Sequence, residues 1–180
     1  EGIPGNVGGG LRMNAGAMGI ETFDQVVSVT FLDEDGKIRT RKCDEIESYY
    51  RNVPELRRNY ALEATFIGEA SNLEAIQEKL DESRHHRNTS QPKAASAGCI
   101  FKNPEVCGAG QLIDEMGLKE TGVGKAEVSL EHGNFIVNRG KARASDVLSL
   151  IEKIKAKAKD ERDVDLETEV QILGEDEVVF

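Results

Sequence analysis

The first residue whose type and setting suggest chemistry is a cysteine near the middle of the chain. Cys99 lies in QPKAASAGCIFKNP, the segment Gln91–Pro104, directly after Ala97 and Gly98. Small residues and a glycine let a backbone pass close to a bound molecule, and prolines near both ends restrict the segment. The pattern predicts a shaped loop that presents one thiol, whereas an isolated cysteine is more often a buried structural residue.

A glycine-rich stretch near the start of the chain is a second candidate. Residues 2–19, GIPGNVGGGLRMNAGAMG, contain seven glycines in eighteen positions, and their backbone amides could line an anion such as a phosphate. The stretch has neither a GxGxxG fingerprint nor the GK[ST] of a Walker loop. A flexible linker is the simpler interpretation, but the interleaved apolar side chains argue against it: Ile3, Val7, Leu11, Met13 and Met18.

Composition and charge limit the class of protein. The 180 residues are 38% hydrophobic and 31% charged, and the net charge of −10 argues against nucleic acid or an anionic membrane surface as a partner. Neither a transmembrane run of about 20 apolar residues nor a signal peptide is recognisable. The three cysteines and three histidines lack disulfide or zinc spacing, which predicts reduced thiols, a cytoplasmic location and no metal. The chain opens inside a motif without methionine, so Glu1 is expected to be a cut edge.

Alternating patterns predict the elements of the first part of the chain. Val26–Leu32, the turn DEDG at 33–36 and residues 37–41 predict a β-hairpin. Residues 43–50 favour a short helix or turn, and residues 62–67 favour another strand. A helix follows, with Ser71 and Glu74 as its capping box. Its predicted buried stripe consists of Leu73, Ile76 and Leu80.

Elements of both kinds are also predicted in the second part. Gln111–Met116 indicates a short helix that Gly117 ends, and Asn134–Asn138 indicates a strand. Ser145 opens the longest helix, and Leu166–Leu173 alternates as a closing strand. The helix's predicted buried residues are Val147, Leu150, Ile151, Ile154 and Ala158. The mixture predicts an α+β fold with a domain boundary near residues 68–72.

Four motifs occur in one order: GIPGNVGG followed by NAG, then Tyr50-Arg51, SAGCIFKNP, and Glu169 in ETEVQILG. Together they resemble the flavoprotein reductase of peptidoglycan synthesis, UDP-N-acetylenolpyruvoylglucosamine reductase of the shorter type, over essentially the whole chain. HGNFIVN at 132–138 is also similar. The resemblance implies that residues 1–70 are the remainder of an FAD-binding domain and residues 71–180 a substrate-binding domain. The family's N-terminal FAD-binding half is missing from this chain.

The resemblance also implies the reaction and its cofactors, FAD and NADPH. NADPH reduces FAD, and the reduced flavin delivers hydride to the enolpyruvyl double bond of UDP-N-acetylglucosamine enolpyruvate. A side chain then protonates the resulting carbanion, which gives UDP-N-acetylmuramate. A flavin oxidase with the same FAD fold and a non-catalytic fragment or paralogue are the alternatives.

Three residues match the family's catalytic positions. Arg51 corresponds to an arginine whose rigid, permanent charge suits the developing aci-carboxylate. Glu169 corresponds to a glutamate that the substrate carboxylate would hold protonated, because neighbouring like charges disfavour a second ionised group. Cys99 stands where most members carry serine as proton donor, and a thiol of reference pKa ~8.5 is largely protonated at neutral pH. Without the motifs, a surface arginine and an exposed strand glutamate would be the simpler interpretations.

Other family positions are matched less completely. The resemblance assigns flavin binding to Gly5, Asn6, Gly8, Gly9, Asn14, Gly16 and Arg87. It assigns substrate binding to Tyr50, Lys102 and Asn103. Three departures stand beside these matches: Asn52-Val53-Pro54 lacks the serine that usually follows the arginine, Ser90 replaces a common lysine, and Met18 replaces a frequent tyrosine.

Overall fold

The computed structural model describes residue 3 and residues 5–174. Its helices and antiparallel sheets are mixed along the chain, which confirms the α+β class. The backbone divides into two compact units, Glu1–Arg84 and His85–Phe180, and two hydrophobic clusters form their cores. The division falls inside a helix, later in the chain than the boundary expected near residues 68–72.

The first unit combines short helices with a three-stranded sheet. In chain order its elements are α1 (Val7–Met13), β1 (Gly16–Ala17), β2 (Ile20–Glu21), β3 (Val26–Leu32), β4 (Ile38–Lys42), α2 (Pro54–Arg58), β5 (Tyr60–Phe66) and the start of α3 (Leu73–Ser90). The glycine-rich stretch is therefore partly helical. Short 3-10 turns occupy Thr22–Asp24 and Cys43–Glu45.

The predicted hairpin is confirmed as β3 and β4, with β5 on the other side of β3. Asp33 closes the turn, because its carboxylate accepts hydrogen bonds from the Lys37 amide at 2.8 Å and from Arg39 Nε at 2.9 Å. Val29 and Phe31 are buried, so one face of β3 faces the core of this unit.

Two predictions for α3 are wrong. Asn72 caps the helix, since its Oδ1 accepts from the Ala75 amide at 2.8 Å, whereas Ser71 was expected there. Leu73 is 80% exposed and Ile76 44%, and no described residue of the helix is buried. Apolar spacing predicts burial only where another element lies against that face, and neither hydrophobic cluster includes a residue of this helix.

The second unit is built on a four-stranded sheet. Its elements are the end of α3, β6 (Ser96–Cys99), α4 (Ala109–Glu115), β7 (Gly122–Val123), β8 (Ala126–Val128), β9 (Phe135–Asn138) and α5 (Ala144–Arg162). The strands pair antiparallel in the order β6-β9-β8-β7. Of the side chains predicted to be buried in α5, Val147 is only partly buried, and four are fully buried: Leu150, Ile151, Ile154 and Ala158. The segment around Cys99 is a strand in part, where a loop was predicted.

The predicted closing strand Leu166–Leu173 is wrong as a regular strand. It forms one isolated bridge, between Thr168 and Phe101. Ile172 and Leu173 are 43% and 74% exposed. A strand needs a partner along its length. The segment that pairs with Thr168 reaches Pro104, which has no N–H to donate, within a few residues of the bridge.

Candidate active site

A β-bulge sets the local geometry of Cys99. Ser96 pairs with Val137 and Cys99 with Phe135, so three steps along β6 oppose two along β9. Gly98 takes up the bulge with φ of +82°, a value that glycine adopts without steric cost. Because a bulge changes which way the following side chains point, it sets the direction of the Cys99 thiol, which is half-buried. None of the three cysteines forms a disulfide.

The segment that carries Glu169 lies beside the end of β6. The Glu169 amide donates to the Ile100 carbonyl at 2.8 Å, and the Lys102 amide donates to the Glu167 carbonyl at 2.9 Å. Ile100 directly follows Cys99 in the chain. Two of the three predicted catalytic residues therefore lie on adjacent segments of the second unit.

The two predicted substrate contacts after Cys99 both have partners inside this unit. The Lys102 ammonium forms an ion pair with the Glu167 carboxylate. Asn103 Oδ1 accepts from the Ala109 amide at 3.0 Å, so its side chain caps the start of α4. Sequence reasoning missed Glu167, and the only signal for it was its position two residues before Glu169.

In the first unit, Arg51 is anchored by the glycine-rich stretch. Its Nη2 donates to the Gly16 carbonyl at 3.0 Å, and its Nη1 lies 3.8 Å from Glu21 Oε1. The guanidinium carbon lies 4.6 Å from the centroid of the Tyr50 ring, a cation–π distance. Arg51 has φ of +56°, an uncommon conformation for a non-glycine residue.

Asn14 and Gly16 support that anchor. Asn14 is 2% exposed, and its Nδ2 donates to Glu21 Oε2 at 2.7 Å while its Oδ1 accepts from the Phe23 amide at 3.0 Å. A Cβ on Gly16 would lie 2.6 Å from the Ile20 carbonyl oxygen, so only glycine fits there. Glu21 thus joins Asn14 to Arg51, a connection that spacing in the sequence did not reveal.

The remaining predicted flavin-binding glycines lie at the start of α1. Asn6 caps this helix, because its Oδ1 accepts from the Gly9 amide at 2.7 Å. Gly8 and Gly9 place no side chains over the first turn and are exposed. Gly5 has φ of +122° and open space around its α-carbon.

Arg87 lies in the second unit, near the end of α3. Its Nη1 is 3.3 Å from Gln91 Oε1, and its Nε is buried without a hydrogen-bond partner. Arg12 Nε in α1 is also buried without a hydrogen-bond partner. Because a buried N–H without an acceptor is costly, each of these groups suits a bound acceptor such as a phosphate oxygen.

His132 is held as a neutral imidazole. Its Nδ1 accepts a hydrogen bond from the Asn134 amide at 3.1 Å. The His132 and Phe135 rings lie in an edge-to-face arrangement with their centroids 4.8 Å apart. Burial lowers the pKa of His132 below its usual value, and the nearby charge of Lys119 lowers it further. The unfolded chain therefore binds a proton at His132 more readily than the folded chain does. The neutral His132 contributes its full share of the free energy of unfolding above about pH 6.5, and that share is lost as the pH falls.

The variant His132→Asn tests whether His132 causes this loss of stability at low pH. An asparagine Oδ1 can accept the same amide hydrogen bond but does not titrate. Chemical unfolding at about pH 7.5 and about pH 5 should show that the wild-type protein loses more stability on acidification than the variant does. Equal losses in the two proteins would show that His132 protonation does not contribute.

Across residue 3 and residues 5–174, no helix combines the length and apolarity needed to span a membrane. Within the same ranges, no three His, Cys, Asp or Glu side chains lie together as a set of metal ligands.

Known proteins are similar to this chain over the segments that carry these residues. Residues 91–173 match the model of the C-terminal domain of UDP-N-acetylenolpyruvoylglucosamine reductase. The enzyme of that name from Clostridium novyi is 44% identical over 178 residues, 98% of this chain and 58% of the relative. The one from Protochlamydia amoebophila is 44% identical over 177 residues, 98% of this chain and 59% of the relative.

A solved structure agrees with these relatives. UDP-N-acetylenolpyruvylglucosamine reductase from Thermus caldophilus superposes with a TM-score of 0.83 at 40% identity, covering 93% of this chain and 60% of that one. The chain thus spans a little under two thirds of the length of the relatives it matches. The resemblance of the four motifs is confirmed. Residues 91–173 carry the C-terminal domain of the UDP-N-acetylenolpyruvoylglucosamine reductase family, and the chain as a whole corresponds to a C-terminal portion of these reductases.

Proposed function

We propose that this chain carries the substrate-reducing part of a cytoplasmic flavoprotein of peptidoglycan precursor synthesis. It converts UDP-N-acetylglucosamine enolpyruvate to UDP-N-acetylmuramate with NADPH and FAD. One observation supports this most strongly: the Glu169 amide pairs with the carbonyl of Ile100, the residue after Cys99. The names of the relatives specify the same substrate. The family's N-terminal FAD-binding half would complete the flavin site.

The donor set of the chain fits FAD. Gly8 and Gly9 leave the first turn of α1 bare, and Arg87 offers a buried Nε–H that has no acceptor. In the first unit the bare first turn of α1 would meet an anionic part of the cofactor, and in the second unit Arg87 would donate a hydrogen bond to one of its acceptors. Asn14 and Gly16, predicted to bind flavin, would act by holding Arg51 in place. When bound, FAD would take a hydride from NADPH and supply it to the enolpyruvyl double bond.

Arg51 would stabilise the negative charge that develops on the substrate carboxylate. Its guanidinium is fixed by Gly16, Glu21 and the Tyr50 ring. A fixed cation needs little reorganisation when charge develops, which is the basis of electrostatic catalysis. Tyr50 would line the same part of the substrate.

Cys99 and Glu169 would complete the reaction. The proton leaves Cys99 Sγ for the carbanion carbon next to the carboxylate, and solvent returns a proton to the thiolate. Glu169 would lie beside the substrate carboxylate, on the segment that pairs with Ile100. Lys102 and Asn103 would meet the diphosphate of the nucleotide. The diphosphate would then compete with Glu167 for the Lys102 ammonium.

The match of residues 91–173 to the reductase domain favours this proposal over a flavin oxidase. The experiment is to measure NADPH oxidation by the flavin-loaded protein with and without the enolpyruvyl sugar nucleotide. We expect oxidation to depend on the sugar. Equal oxidation under both conditions would contradict the reductase. A protein that takes up no flavin even with the family's N-terminal FAD-binding half present would support a non-catalytic paralogue.

A further inference from the structure

The stretch from Cys99 to Asn103 is fixed from two sides. On one side the Ile100 amide donates to the Asn134 carbonyl at 2.9 Å, and on the other the Glu169 amide donates to the Ile100 carbonyl at 2.8 Å. The regular pairing of β6 with β9 ends at Cys99 and Phe135. Beyond that point β9 offers no further backbone to pair with Phe101.

The side chain of Asn134 makes the hydrogen bonds to Phe101 that a continuing β9 backbone would make. Its Oδ1 accepts from the Phe101 amide at 2.9 Å, and its Nδ2 donates to the Phe101 carbonyl at 2.8 Å. Asn134 is 2% exposed and Phe101 1%, so these groups are shielded from bulk water. A single side chain therefore holds both backbone groups of the residue two positions after Cys99.

Asn134 is itself held by a rigid turn. Its amide donates to His132 Nδ1 at 3.1 Å. A Cβ on Gly133 would lie 2.5 Å from the Gly110 carbonyl oxygen, and a Cβ on Gly110 would lie 2.8 Å from His132 Cε1. The turn is thus packed directly on α4, because both contact positions are glycine.

We propose that Asn134 is a positioning residue for Cys99, acting through the backbone of Phe101. This inference rests on the proposed function, in which Cys99 supplies the proton. Removing the Asn134 amide leaves two buried backbone groups unpaired, so the end of β6 and the thiol shift. A displacement of about 1 Å at a reacting group can cost about a hundredfold in rate.

Two variants and one matched control test the proposal. Asn134→Ala removes both hydrogen bonds, and Asn134→Asp keeps the size and the acceptor but loses the donor at neutral pH. The control is Asn138→Ala at the other end of β9. Asn138 also binds two backbone amides through Oδ1, those of Gly140 and Ala142, at 2.9 and 3.0 Å.

The first readout is the alkylation rate of each cysteine by iodoacetamide, followed by peptide mass spectrometry. In Asn134→Ala we expect Cys99 alkylation to change at least about threefold, while Cys107 in the same unit keeps its rate. Asn134→Asp sets a carboxylate oxygen against the Phe101 carbonyl and should change Cys99 in the same direction, and it carries the test if the alanine variant does not fold. Asn138→Ala should leave both rates unchanged. An unaltered Cys99 rate, or equal changes at Cys99 and Cys107, would overturn the proposal.

The second readout uses the flavin-loaded protein. Asn134→Ala should slow flavin reoxidation by the sugar nucleotide about 10- to 100-fold and leave flavin reduction by NADPH unchanged. Equal slowing of both steps would indicate a merely structural role and overturn the proposal. If the wild-type protein shows no sugar-dependent step, the proposed function fails. The alkylation rates, which need no flavin, still decide whether Asn134 positions Cys99.

Discussion

Replacing Arg51 by alanine is expected to slow sugar-dependent reoxidation of the flavin by about a thousandfold, while NADPH reduces the flavin at close to the wild-type rate. The difference follows from the proposed role, because charge develops on the substrate carboxylate only in the second step. Stopped-flow absorbance of the two half-reactions measures it. Arg51→Lys keeps the charge but loses the rigid fork that binds Gly16 and faces Glu21, so it should recover only part of the rate.

Arg58→Ala is the matched control for Arg51. Arg58 is an exposed residue in the last turn of α2, in the same unit, and its loss changes the net charge equally. Both half-reactions should keep their wild-type rates in this variant. If Arg51→Ala slows both half-reactions equally, the assignment of Arg51 to the substrate carboxylate is wrong.

Replacing Cys99 by alanine is expected to lower the rate of sugar-dependent flavin reoxidation by about 10²- to 10⁴-fold, the usual contribution of a positioned proton donor. Cys99→Ser should remain active, because a hydroxyl can also donate a proton. The serine variant should also lose inhibition by thiol reagents, and steady-state rates after iodoacetamide treatment measure this. Cys43→Ser and Cys107→Ser are the controls, and both should keep the wild-type sensitivity.

An inactive Cys99→Ser variant would contradict the donor assignment if the protein remained folded. The assignment would also fail if Cys99→Ala kept the wild-type rate of reoxidation. In either case the bulge at Gly98 would direct a structural cysteine rather than a proton donor.

Local patterns were enough to predict the hairpin of β3 and β4 and the long helix α5. The turn residues between the strands form their own closing hydrogen bonds, at Asp33. The apolar spacing of α5 meets a core in the same unit, so Leu150, Ile151 and Ile154 are buried as predicted. Such elements depend mainly on residues close in sequence.

Predictions failed where a distant partner decided the outcome. Leu73 and Ile76 of α3 are exposed, and neither hydrophobic cluster includes a residue of this helix. The alternation of Leu166–Leu173 is that of a strand, but only one bridge forms, at Thr168. Leu166 is buried and Val170 packs against the core, but a strand partner does not continue along the rest of the segment.

For the candidate site, the sequence supplied candidate residues but not the contacts between them. The motifs brought Arg51, Cys99 and Glu169 forward as candidates. The contacts that hold them join distant positions, since Arg51 binds Gly16 35 residues away and Asn134 binds Phe101 33 residues away. Neither pair follows a helix or strand period, so a single sequence gives no signal for it.

The most direct test of the proposed function is one single-turnover experiment. The flavin-loaded protein is reduced in the absence of oxygen and mixed with UDP-N-acetylglucosamine enolpyruvate in D₂O. We predict that the flavin absorbance returns to its oxidised form and that UDP-N-acetylmuramate appears with deuterium at the carbon next to the carboxylate. A flavin that stays reduced, with the enolpyruvyl sugar recovered unchanged, would contradict the account.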